Sequence, residues 1–415
     1  METMTPAVAV VGAGPAGLTA AAELARLVDG EVLVLERERV PGGIPRHSDH
    51  TGYGLRDLRR VMTGPGYARL LHRRAERAGA RILTEATVTR VSDGRELEVT
   101  TPSGLVRVEP HALVLATGAR ERPRPARLIT GDRGAGIYTT GHLQNLVHLH
   151  HGRPGKRAVI VGAELVSWSA VLTLREAGCR TVLMTTSQPV PESYAAFHLP
   201  GRALLRVPVA TGTRLVSVEG DAGRVSAVVV EQVGTGRRRR VECDTVVLTG
   251  DWIPDHELAR GTGLDLDPRS RGPVVDTALR TSRPGVFAAG NLIHPVDTAD
   301  IAALDGRHVA AAVQRWLGDE RMGEVAFDIE VDAPLRWVAP SVVRRGDPPP
   351  ARGRLLLWTD TLVRSPVVRV HQAGRPLARR RLPWPASPGR VFRVPWSLLA
   401  RARPDAGPVR LSLAR

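Results

Sequence analysis

Short, unbroken apolar runs mark the chain at intervals. Residues 7–11 (AVAVV), the run EVLVLE ending at Glu36, RAVIVG from Arg157 and TVLMTT ending at Thr186 are of this kind. An apolar run without polar alternation predicts a strand buried on both faces, the pattern of a parallel sheet. Between the paired runs lie LTAAAELARL and LVSWSAVLTLREAG, whose Ala/Leu-rich texture predicts crossover helices. Later segments, RLVSVEG, RVSAVVVEQV and RRRVECDTVVLTG, read as further strands.

The first strand runs into Gly12-Ala-Gly14-Pro15-Ala16-Gly17. Strand, G-x-G-x-x-G, helix, strand and an acid about 20 residues on form the dinucleotide-binding unit. Gly12 permits the tight turn, Gly14 lets backbone approach a pyrophosphate, and Gly17 lets the helix pack close to the strand. The helix N-terminus offers unpaired N–H groups to phosphate. Glu36 is placed to accept hydrogen bonds from the hydroxyls of an adenosine ribose.

The chain repeats this order. Thr117-Gly118 closes the first copy and Thr249-Gly250 the second. In the second copy the fingerprint is Gly162-Ala-Glu164-Leu-Val-Ser167, and the strand that follows ends Thr185-Thr186 with no acid for a ribose. A Cβ at Glu164 obstructs the backbone's approach to a pyrophosphate. Like charges about 4 Å apart add on the order of 4 kcal/mol near a surface, roughly a thousandfold in affinity. Ordinary NAD(P)H binding is expected to be impaired. The competing reading is a loop on another path, with Glu164 pointing away.

Composition changes this picture little. The 415 residues carry a formal charge of +16, yet Lys156 is the only lysine. Arginine spread over all solvated faces fits that bias better than a nucleic-acid surface, and Arg237 to Arg240 is expected on an exposed hairpin turn. Cys179 and Cys243 are the only cysteines and no C-x-x-C occurs, so neither an iron–sulfur cluster nor a metal site is expected. Two free thiols and no membrane-length apolar run suit a cytoplasmic protein.

Several stretches narrow the match. VGAGPAGLTAAAEL, the LER carrying Arg37, Pro41-Gly42-Gly43, ALVLATGARERPRP (112–125) and Pro284 to Asn291 resemble flavoproteins of the glutathione and thioredoxin reductase superfamily. The loop Gly42 to Gly54, TGPGYARLL, ARLITGDRGAGIYTTGHLQNLV, VIVGAELVSWSAVLTL and AAGNLIHPVDTAD resemble, within it, the FAD subunits related to hydrogen cyanide synthase, opine oxidase and hydroxyproline dehydrogenase. The resemblance covers roughly residues 5–320. It implies FAD as cofactor. The implied contacts are Gly12, Gly14, Pro15, Ala16, Gly17, Glu36, Arg37, Gly43, Val88, Ala116, Thr117, Gly118, Gly290, Asn291, Thr298 and Ala299. Asn291 stands where the superfamily usually has Asp; an amide still bonds a hydroxyl. The resemblance also implies a dehydrogenase whose flavin is reduced by an amine or amino acid and whose electrons leave through an iron–sulfur subunit or a second flavoprotein. The chain lacks the cysteine-rich module many relatives carry, and Ser48 stands where relatives often have cysteine.

Candidate catalytic groups are His47 and His50 in the loop after Gly43, and His294 after the returning FAD segment. Each has an unperturbed pKa near working pH and suits orienting an amine or taking its proton; the alternative is that each only bonds the loop or the flavin. Arg46 is a candidate for a substrate carboxylate. Thr298 and Ala299 are expected to aim N–H groups at the flavin's pyrimidine end, to cap a helix expected near Gly306, or to do both at once. His148, His150 and His151 read as a solvated connector.

After about residue 330, runs such as RGRLLLW and PVVRVHQAGRPLARRRL alternate with Gly/Pro turns, and four of seven tryptophans lie there. The expected architecture is α/β, with two Rossmann-like (FAD/NAD(P)-binding) domains, the second inserted in the first, plus a small β-rich C-terminal module. Expected boundaries are 1–122, 123–252, 253–328 and 329–415. The expected function is oxidation of an amine, amino acid or opine-like substrate, in a homo- or hetero-oligomer. The alternatives are an NAD(P)H-dependent reductase and an FAD-holding subunit without turnover.

Overall fold

The computed structural model describes residues 2–92, 94–320 and 322–414. The apolar runs become strands, wholly buried at Val8–Val11 and Val32–Leu35 and mostly buried at Arg157–Val161 and Arg180–Thr185. The chain opens with β1 (Val8–Val11), α1 (Pro15–Leu27) and β2 (Val32–Leu35). Next come α2 (Gly64–Ala78), capped by the Thr63 side chain and ended by Gly79 at φ +100°, and β3 (Arg81–Leu83). An antiparallel meander of β4 (Thr87–Ser92), β5 (Glu96–Thr101) and β6 (Gly104–Val108) precedes β7 (Ala112–Leu115).

A second set of elements repeats the plan. β8 (Ile137–Thr139) leads into α3 (Thr140–Gln144) and a single π-turn at Asn145–Leu149. Then follow β9 (Arg157–Val161), α4 (Leu165–Glu176), β10 (Arg180–Thr185) and the short β11 (Val209–Ala210). The second meander is β12 (Thr213–Asp221), β13 (Arg224–Gln232) and β14 (Arg238–Glu242), and β15 (Thr245–Leu248) closes the parallel sheet in the order β8-β15-β9-β10-β11. Two details depart from expectation. Arg238 to Arg240 lie on an edge strand, paired with Glu231 and Glu219, rather than in a turn. His148 is not solvated: the π-turn swings its ring against α4, where Nε2 meets the Thr173 hydroxyl at 3.2 Å.

The chain then returns through β16 (Val286–Ala288) to the first sheet, giving the order β16-β7-β1-β2-β3. The helix α5 that follows spans Ala299–Leu317 and so begins seven residues before Gly306. Gly306 is no start signal. A Cβ there would lie 2.1 Å from the Ala16 carbonyl oxygen, so glycine is what lets α5 lie against α1.

The C-terminal segment folds as β17 (Val325–Val331), β18 (Leu335–Ala339), β19 (Val342–Arg344), β20 (Arg354–Thr359), β21 (Val367–Gln372), β22 (Arg375–Arg381), β23 (Phe392–Pro395) and β24 (Val409–Ala414). Two sheets result, β19-β17-β24-β21-β22 and β18-β20-β23. They enclose a core of their own that includes Phe392, Leu357 and Val370. By contacts, residues 1–46, 52–119 and 254–415 form one unit; residues 47–51 and 120–253 form the other. Among the described residues no helix is long and apolar enough to cross a membrane.

Candidate functional site

In the first unit the glycines of the first turn fall into two kinds. A Cβ on Gly12 (φ +103°) would sit 2.6 Å from the Ala116 oxygen, and one on Gly17 would sit 1.9 Å from the Gly12 oxygen. Those two are demanded by the chain's own packing. A Cβ on Gly14 would meet nothing within 4 Å. Gly14 therefore borders open space at the head of α1, where Pro15 starts the helix and no side chain caps it. The unpaired N–H groups and the positive end of the dipole face that space.

Glu36 is buried and ties the turn together: its carboxylate accepts from the Ala13 N–H at 2.8 Å and the Glu38 N–H at 2.9 Å. Two such bonds leave further lone pairs for ligand hydroxyls. Gly43 (φ +61°) closes on the turn, since a Cβ there would stand 3.0 Å from the Gly14 Cα. Ala116 follows β7 directly. Thr117 donates its hydroxyl to the Asp255 carbonyl at 2.7 Å, and the Gly118 carbonyl accepts from the Asp255 N–H at 2.9 Å. Val88 is half-buried on β4, and the exposed Arg37 reaches to 3.9 Å from Asp255.

The returning segment completes this side. Gly290 (φ +73°) packs on Ala16, where a Cβ would be 2.8 Å from the alanine's own. The Asn291 amide donates to the Asp297 carbonyl at 2.9 Å, while its Oδ1 is buried without a donor. A buried acceptor left unpaired is unfavourable by about 1–3 kcal/mol, so a ligand hydroxyl is the natural complement. Thr298 stands at the N-cap of α5, its own N–H bonded to Asp297 at 2.8 Å. An open glycine cradle, a buried ribose-type acid and an unsatisfied Oδ1 together fit a dinucleotide.

The three candidate histidines do not come together in one unit. His294, in the first, is almost wholly buried. Its Nε2 bonds Asp305, Arg352 approaches the same carboxylate at 3.4 Å, and its Nδ1 is buried without a partner. Burial acts to raise the Asp305 pKa, but His294, Arg352 and His308 outweigh it and hold the carboxyl below its usual range. His47 and His50 belong by contacts to the second unit. His50 bonds the Ser48 hydroxyl at 3.0 Å and the Thr51 carbonyl at 2.8 Å, and Gln144 links Ser48 to Ser169. Burial lowers the His50 pKa. A donor to the carbonyl at Nδ1 and an acceptor at Nε2 describe a neutral, fully engaged ring. Arg46 is engaged too, on the Val40 carbonyl at 3.0 Å and Glu38 at 3.5 Å.

In the second unit the matching turn is filled by the chain itself. Glu164 is the N-cap of α4 and forms a reciprocal capping box with Ser167, whose hydroxyl also bonds Thr249 at 2.7 Å. The Glu164 carboxyl lies over Gly250, where a Cβ would come within 2.1 Å of Oε1. Burial, then the nearby Glu192, Glu121 and Asp251, push its pKa up to about 8 against the pull of Arg127. At neutral pH the group is therefore largely protonated. The obstruction is one of volume and of occupied N–H groups; the charge repulsion suggested by the sequence is muted. Glu121 accepts from the Thr140 hydroxyl at 2.7 Å and the Gly250 N–H at 3.2 Å, and Arg127 donates to the Thr249 and Gly250 carbonyls at 2.9 and 2.7 Å. Glu121 and Arg127 lie in stretches that carry the resemblance and Glu192 in none, but none was singled out; only folding brings them to the turn.

Comparison with known proteins agrees with this geometry. The sequence pattern described as pyridine nucleotide-disulphide oxidoreductase matches residues 6–311. An opine oxidase subunit from Agrobacterium tumefaciens (strain Ach5) is 30% identical over 338 residues, covering 73% of this chain and 64% of that protein. The chain thus spans less than two thirds of that relative's length. The glutamate synthase (NADPH) small chain of Mycobacterium tuberculosis (strain H37Rv) is 30% identical over 365 residues, covering 79% of this chain and 70% of that one. Among solved structures, thioredoxin reductase of T. acidophilum superposes with a TM-score of 0.63 at 24% identity, over 75% of this chain and 98% of that one, a likeness of fold.

Proposed function

From the premise that the chain belongs to the pyridine nucleotide-disulphide oxidoreductase family and is an FAD-binding oxidoreductase, we propose that it is a dehydrogenase subunit that oxidises an amine, amino acid or opine-like substrate and passes the electrons to a partner protein. One observation carries this reading: the first glycine turn is open at Gly14, and the second is plugged by Glu164. Reducing equivalents then enter from a small molecule rather than from NAD(P)H in the second domain.

The residues that would hold FAD are Gly12 to Gly17 at the pyrophosphate, Glu36 with Arg37 and Val88 on the adenosine side, and Gly43 and Ala116 to Gly118 beside them. Gly290, Asn291, Thr298 and Ala299 take the ribityl and flavin end. Bound there, FAD supplies a two-electron, hydride-accepting oxidant. Oxidation of an amine C–H and N–H to C=N releases one hydride and one proton, and water then adds to the imine to give a carbonyl compound and a free amine. The proton needs a base. His47, His50 and His294 are the candidates for that task, and the His50 ring already bonds Ser48 and the Thr51 carbonyl.

A disulphide reductase needs a reactive thiol pair. Cys179 and Cys243 are both buried and unbonded, and burial pushes their thiols up to about 11 and about 12. Such thiols stay protonated and inert. With no thiol relay, the electrons leave for another protein, and the word subunit in the opine oxidase relative's name supports a partner.

The test is the visible spectrum of the purified protein, taken anaerobically. Flavin bands that persist with NADH or NADPH and bleach with an amino acid or opine support the assignment. Rapid bleaching at micromolar nicotinamide transfers it to an NAD(P)H-fed reductase, the chemistry in the glutamate synthase relative's name.

A further inference from the structure

The C-terminal β module is tied to the rest of its unit at residues 269–280, as by Arg344 on Asp276 and Asp347 on Arg280, and a second time at the returning FAD segment. Arg393, on β23, donates to Asp297 at 2.6 Å, and that carboxylate is almost fully buried. Asp297 is itself linked to Asn291 through its carbonyl and to the Thr298 N–H through Oδ1. Its other oxygen, Oδ2, is buried without a donor. Arg352, just before β20, meets Asp305 at 3.4 Å and the Ile301 carbonyl at 3.4 Å; Asp305 in turn holds His294.

Apolar contact reinforces these bonds. Val296 packs against a small cluster of Trp337, Ala339, Leu356 and Val391, all from the module. Val296 also has φ +106°. A β-branched residue in that region is a genuine outlier and persists only when its surroundings fix it. The loop from His294 to Thr298 is thus held in an unfavourable backbone conformation by two arginines and a tryptophan-lined pocket that come from elsewhere in the chain.

We propose that the C-terminal module is a positioning element for the cofactor loop: Arg393 through Asp297, and Arg352 through Asp305 and His294, set the geometry of the segment that takes the flavin end. This rests on the assignment of FAD to residues 290–299. The two arginines touch neither cofactor nor substrate in this scheme; they act through the carboxylates. Breaking one member of a buried ion pair leaves the other uncompensated, so the loop relaxes toward the conformation Val296 prefers and the flavin end loses its fixed partners.

The experiment compares Arg393→Ala, Arg393→Lys, Arg352→Ala and Asn291→Ala as purified full-length chains. The readouts are FAD dissociation constant, visible flavin spectrum, and pH profile of flavin reduction by substrate. Arg393→Ala is expected to shift the flavin bands and weaken FAD about tenfold, the factor that about 1.4 kcal/mol gives. Arg393→Lys is expected to restore much of both, since it returns a charge but not the planar fork. Circular dichroism separates an unfolded variant from a relaxed loop, and Arg352→Ala gives a second, independent contact. If Asn291→Ala perturbs the flavin while both arginine variants, folded, keep the wild-type spectrum, affinity and pH profile, the positioning role is overturned. The same holds if those variants lose only electron transfer to a protein acceptor, which would make the module a docking surface. If Asn291→Ala also leaves the flavin untouched, it is the assignment of FAD to this segment that fails.

Discussion

Gly14 and Glu164 stand at the same station, the N-cap of the helix after a glycine turn, with nearly the same backbone: φ −78°, ψ −176° for one and φ −81°, ψ 178° for the other. The second loop therefore does not take another path to make room for its side chain. At this residue it has the backbone of the first turn, and it carries a carboxyl where the first turn has only a glycine bordering open space.

Replacing Glu164 by Gly should reopen that space. Nicotinamide dinucleotide binding, measured by calorimetry, is expected to tighten at least about tenfold, which is roughly 1.4 kcal/mol. Loss of the cap should take only about a few tenths of a kcal/mol from the stability, since glycine is itself a favoured N-cap. Unchanged binding would mean that Glu121 and Glu192 close the site by themselves.

The raised pKa of Glu164 has a sign that can be followed. The folded pKa, about 8, lies above the ordinary value of 4.5, so the folded state holds the proton more tightly. The stability this gives is complete below about pH 4.5 and is lost as pH rises through about 8. Glu164→Gln cannot ionise. It should match the wild type in thermal unfolding at pH 5 and exceed it by several degrees at pH 8.5, since a pKa raised from 4.5 to about 8 corresponds to roughly 4 kcal/mol over that range.

Gly14→Ala and Gly17→Ala should part company. A Cβ on Gly14 meets open space and one on Gly17 meets the Gly12 oxygen at 1.9 Å. Gly14→Ala is expected to fold with stability within about 0.5 kcal/mol of the parent yet retain little FAD after gel filtration. Gly17→Ala should be destabilised by several kcal/mol, at the upper end of single substitutions, and show it as lost soluble yield.

His47→Gln should lower kcat/KM for the reducing substrate about a hundredfold, the lower end of general acid–base contributions, and remove the acidic limb of the pH profile. His50→Gln should leave that limb in place, because the His50 ring is bonded on both sides, to the Ser48 hydroxyl and the Thr51 carbonyl. The reverse pattern would assign the proton transfer to His50.

Much of the fold was legible because it rests on local signals. A four-residue apolar strand, a glycine turn and an Ala-rich helix announce themselves within thirty residues, and Asn291, whose Oδ1 is buried without a donor, stood out by its place after Gly290. The start of α5 was not legible, because Gly306 looks like a helix boundary until Ala16 is seen beside it. Glu121, Arg127 and Glu192 were silent for a similar reason: their protonation and bonds come from burial at one turn. Arg352 and Arg393 were hidden among an arginine-rich surface, and only their partners, Asp305 and Asp297, distinguish them.

The strand β24 follows every other element described and yet sits in the middle of its five-stranded sheet, parallel to β17 and antiparallel to β21. The sheet has no interior until residues 409–414 arrive. Synthesis therefore imposes an order of assembly: the glycine turn is available early, the loop at 294–298 much later, and its support later still. A nonsense codon between the end of α5 and β24 would be felt more than a hundred residues upstream of that strand, at the loop 294–298, whose supporting module would be left without the central strand of its five-stranded sheet.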